Sequence, residues 1–92
     1  MHSVHVTVAV QGEFPDEAAR RAHIEQIAQE ISSSPGCLHG YLTAPIDGVG
    51  HAYTFYDTEE NAVASAPAVG FEHDSGMAVI KDVELAPVTA HF

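Results

Sequence analysis

Hydrophobic and polar positions alternate strictly along Val4-His5-Val6-Thr7-Val8-Ala9-Val10, and this period of two predicts a strand with valines on one side. Gln11-Gly12-Glu13-Phe14 turns the chain. Pro15 then stands where a first helical turn accepts it, and Asp16 and Glu17 suit the positive end of a helix. The period changes to that of a helix, with Ile24, Ile27, Ala28 and Ile31 on one stripe, and Ser32-Ser33-Ser34-Pro35-Gly36 stops it. Cys37 to Thr43 predicts a second strand, Pro45 to Gly50 a hairpin-like loop, and His51 to Tyr56 a third strand rich in β-favouring side chains. Asp57 or Thr58 can cap a second helix running through Asn61, Ala62 and Val63. Pro67 and Gly70 interrupt it, leaving a helix that is short, broken or followed by a second turn around Phe71 to Val79. Val83 to Phe92 closes the chain as a final strand, bent at Pro87.

The order β-α-β-β-α-β predicts an α+β fold of ferredoxin-like topology, with both helices on one face of a four-stranded antiparallel sheet. At 92 residues the chain is a single domain, residues 1–92, with no room for a second core. The far face of such a sheet is bare in a monomer. On the third strand His51, Tyr53 and Phe55 share one side while Ala52, Thr54 and Tyr56 share the other, and neither side is uniformly polar. Both faces are therefore expected to be covered. With 46% hydrophobic residues in so small a domain, packing of two sheets as a homodimer is the simplest cover.

Charge narrows the partners. Arg20, Arg21 and Lys81 stand against 13 acidic residues, a formal charge of -10. Nucleic acid and anionic membrane surfaces are excluded as partners, because their phosphates need cations that this chain lacks. The single cysteine, Cys37, fits a reducing compartment. Neither a signal peptide nor an apolar run of membrane-spanning length is visible, so a cytoplasmic location is expected.

Ser34-Pro35-Gly36-Cys37-Leu38-His39-Gly40-Tyr41 after an amphipathic helix, and Phe55-Tyr56-Asp57-Thr58-Glu59-Glu60-Asn61-Ala62 at the next strand-to-helix junction, resemble the antibiotic-biosynthesis monooxygenase family. With the first and closing strands the resemblance spans nearly the whole chain. It implies a dimeric α/β barrel with a pocket between each sheet and its helices. It also implies cofactor-free oxygenation of a small apolar or aromatic, quinone-like molecule of polyketide type. A cyclase or isomerase of the same fold, or a non-catalytic binding or assembly module, are the alternatives. Tyr56 replaces the family's junction tryptophan, and the chain has no tryptophan. Haem degradation is disfavoured, since the first strand carries no asparagine and only His73 could match the haem-ligand position.

Cofactor-free oxygenation requires a base near neutral pKa to deprotonate a phenol or enol, a dry apolar wall, and a donor for the developing oxyanion. Histidine is the natural base, and the chain has seven. His73, beside Phe71 at the expected pocket mouth, and His5, on the first strand with Thr7, are the candidate catalytic residues. A solvated loop histidine and a hydrogen-bonded sheet histidine are the respective structural readings. Tyr56, Phe71 and Thr7 are the candidate substrate contacts, with a plain core role as the alternative for Tyr56. His51 is assigned to the dimer seam, His23 to the surface of the first helix, and His39 is left open. His91 could approach His2 or His5 across antiparallel strands. No HxH, HExxH or Cys/His pairing supports a metal there, so neither metal nor other cofactor is expected.

Overall fold

The computed structural model describes residues 1–11, 14–73 and 77–92, with His73 described by its backbone alone. Its elements are β1 (His2–Val10), α1 (Glu17–Ser32), β2 (Cys37–Leu42), β3 (Val49–Tyr56), α2 (Glu59–Ser65), β4 (Glu72–His73) and β5 (Ala78–Pro87). The sheet is antiparallel in the order β2-β3-β1-β5-β4. The four long strands and two helices form the expected α+β, ferredoxin-like arrangement. The fifth strand is a two-residue edge piece, Glu72 and His73 pairing with Val79 and Ala78, within the stretch expected to be irregular.

The closing strand departs from the sequence expectation. It starts at Ala78 and ends at Pro87, so His91 lies beyond it. Ala78, Val79 and Ile80 are drawn into the sheet because Val10, Ala9 and Val8 of β1 offer matching partners. A register shift between Thr7 and Val8 accommodates the change. Proline has no N–H to donate to the ladder, and Pro87 ends the strand instead of bending it.

Both helices start on side-chain caps, Asp16 for α1 and, of the two candidates Asp57 and Thr58, Thr58 for α2. The Asp16 carboxylate accepts from the Ala19 N–H at 2.8 Å, and Thr58 Oγ1 accepts from Asn61 N–H at 3.1 Å. α2 packs on β1, β3 and β5, and places Ala62, fully buried, beside Val4, Val6, Tyr56 and Ile80. These five residues are the whole buried apolar core among the described residues. α1 instead leans on β2 and has no buried residue of its own. It stands off the middle of the sheet, and a cleft opens beneath it. No helix among the described residues is long and apolar enough to cross a membrane.

Candidate functional site

Alternation along the strands decides which side chains see this cleft. Val4, Val6 and Val8 of β1 form its floor with Ile80 of β5, and Ile24, Ile27 and Ile31 of α1 form its roof. The space is about 1270 Å³, enough for a polycyclic molecule, and it is open to solvent.

Polar residues interrupt the apolar wall, among them Glu30, Thr43, His51 and Thr54. Tyr56 is 3% exposed, and its hydroxyl lies 3.0 Å from Ser34 Oγ, which also donates to the Ile31 main-chain carbonyl. With Ser34 donating to that carbonyl, the Tyr56 O–H donates to Ser34. The phenol oxygen then keeps lone pairs for a donor in the cleft. His23 lines the roof half-buried, its ring 5.0 Å from that of Phe14. At the lip, Arg20 holds Glu17 through two hydrogen bonds of 2.6 and 3.1 Å. This pair keeps the carboxyl below its ordinary range and the guanidinium above its own.

The sequence candidates divide between the two faces of the sheet. Tyr56 and Phe71 both line the cleft, Phe71 at its exposed rim. His5 and Thr7, at odd positions of β1, stand on the opposite face, away from Tyr56 and Phe71. His73 is placed by its backbone in β4, beside the cleft residues Phe71 and Ala78, and its side chain lies outside the described residues. His23, read from sequence as a surface residue, is the imidazole that reasoning missed. Its distance of four residues from Ile27 was the available signal, since i and i+4 share a helical face.

The outer face carries its own cluster. His5 stacks on Tyr53 at 4.5 Å and shares a hydrogen bond with His51, between His5 Nε2 and His51 Nδ1 at 3.0 Å. Further along, His39 stacks on Phe55 at 4.7 Å and sits edge-on to Tyr41 at 6.0 Å.

No protein-family model matches the chain, and no curated protein matches it. Among solved structures it is similar to protein YJCS, a structural-genomics structure, with a TM-score of 0.61 over 96% of this chain and 98% of that one. At 9% identity this likeness supports the fold alone and leaves the chemistry to the site itself.

Proposed function

We propose that this chain is a cofactor-independent monooxygenase acting on a small aromatic or quinone-like molecule held between α1 and the sheet. The observation that carries the reading is the cleft, whose largely apolar wall is broken by the Tyr56–Ser34 pair and the His23 imidazole. In this mechanism an imidazole takes the proton from an enol or phenol. The electron-rich carbon then bonds to O2, and the proton returns to the peroxide. Loss of water from the hydroperoxide leaves a carbonyl, so that CH2 and O2 become C=O and H2O. His23 replaces His5 among the candidate bases, because His5 faces the other side of the sheet. His73 remains the second candidate. The protein works as a homodimer in the cytoplasm, where Cys37 stays reduced.

The test is oxygen uptake in chelator-treated buffer with anthrone-, hydroquinone- and catechol-type substrates. Uptake should scale with protein and fall at least a hundredfold in His23→Ala, with the far-ultraviolet circular dichroism unchanged. Uptake retained in His23→Ala would remove that residue as the base. Turnover without oxygen consumption would identify a cyclase or isomerase, and binding without turnover would identify a non-catalytic module.

A further inference from the structure

We propose that His5 and His51 form a bidentate site for a tetragonal transition-metal ion, Cu2+ or Ni2+, on the outer face of the sheet. The pair arises from strand register. His5 lies opposite Tyr53 and Thr7 opposite His51, so the two histidines are diagonal neighbours on adjacent antiparallel strands. Odd positions of β1 and β3 share the outer face, which brings the two rings to 5.1 Å between centroids. Tyr53 stacks nearly parallel on the His5 ring, at 7°, and limits where that ring can lie.

Distance selects the metal. With metal–nitrogen bonds of about 2.05 Å, the 3.0 Å between His5 Nε2 and His51 Nδ1 corresponds to a nitrogen–metal–nitrogen angle of about 94°. That is the angle of neighbouring ligands in square-planar or octahedral coordination. Tetrahedral zinc would need a separation of about 3.3 Å. Imidazole is a preferred ligand of both Cu2+ and Ni2+, and Cu2+ heads the affinity order of the divalent ions. Both rings are half-buried in the single protomer, and small rotations that replace their mutual hydrogen bond turn both lone pairs toward one ion, which would lie within any sheet-to-sheet contact formed on this face.

Charge on the adjacent strand favours a cation there. Glu84 lies opposite His5 and Asp82 opposite Thr7 on β5, both exposed. One Asp82 oxygen accepts from the Val83 N–H at 3.0 Å, while Glu84 supplies a carboxylate about one strand spacing from His5. Among the described residues no three histidine, cysteine or acidic side chains converge as a ready-made ligand set. The remaining positions on the ion therefore belong to water or to Glu84 after a side-chain rotation. His5 does not line the cleft but His51 borders it, so the pair stands mainly on the outer face and touches the cleft through His51.

The test is titration of the full chain with Cu2+, followed by calorimetry and by electron paramagnetic resonance with spin-echo modulation to count imidazole nitrogens. One high-affinity ion with two coordinated imidazoles is expected. His5→Ala and His51→Ala should each weaken that ion at least tenfold and leave one imidazole, whereas His39→Ala should bind as the parent does. Affinity should fall as pH falls, since protons compete for the same lone pairs. His2 is a competing imidazole ligand for copper. Loss of the ion in His2→Ala, with binding retained in His5→Ala and His51→Ala, would overturn the proposal.

Discussion

At Tyr56 the ring and the hydroxyl answer to different demands. The ring is part of the small buried core with Val4, Val6, Ala62 and Ile80, while the hydroxyl reaches Ser34 at the end of the cleft. A phenol so placed fills volume and fixes a polar point in an apolar wall. Tyr56→Phe keeps the ring and removes one hydrogen bond, and should cost about 1 kcal/mol in urea denaturation. Ser34 retains the Ile31 carbonyl as partner, so the variant should fold. A loss of 3 kcal/mol or more would mean that the hydroxyl carries more of the fold than this one bond. At this scale the strand's alternation already separated Tyr56 from Tyr53 and Phe55. Which of the two sides was the cleft required the helices to be in place.

At the scale of elements, the two helices behave differently although both are capped by local sequence. α2 has only seven residues, yet it is seated on the sheet through Ala62. α1 has sixteen residues and buries none fully, so its apolar stripe faces the cleft. The turn between α1 and β2 is tied to the start of α2. Gly36 accepts from the Asp57 N–H at 3.0 Å, and the Asp57 carboxylate accepts from the Asn61 amide at 2.8 Å. Gly36 has φ of +78°, and an added Cβ would collide with the Asp57 carboxylate and the Asn61 amide. Gly36→Ala should therefore destabilise by more than about 1 kcal/mol, from backbone strain and from the broken Asp57–Asn61 contact. Thermal unfolding checks this, and an unchanged midpoint would show that the turn relaxes freely. The break at Ser32 to Gly36 was legible because proline and glycine punctuate a chain locally. The start of β5 was not, because Ala78 to Ile80 become strand only through pairing with β1.

For the whole molecule the question is what covers the outer face of the sheet. Tyr41, Tyr53 and Phe55 stand there among His5, His39 and His51, and Tyr41 is 65% exposed. With five buried apolar residues among those described, one protomer has little core, and a second sheet packed on this face would enlarge it. Light scattering at micromolar concentration should report a dimer, and Phe55→Glu should yield a monomer with unchanged circular dichroism. A wild-type monomer would exclude this assembly at that concentration. Element order, the helix starts and the bareness of one sheet face were determined by sequence, because periodicity and capping are local properties. Tertiary structure alone decided that His23 joins Tyr56 across the cleft, that His5 and Thr7 face away from it, and that His5 meets His51. Those outcomes depend on strand register and on how far α1 stands from the sheet, and both are set by contacts between residues distant in the chain.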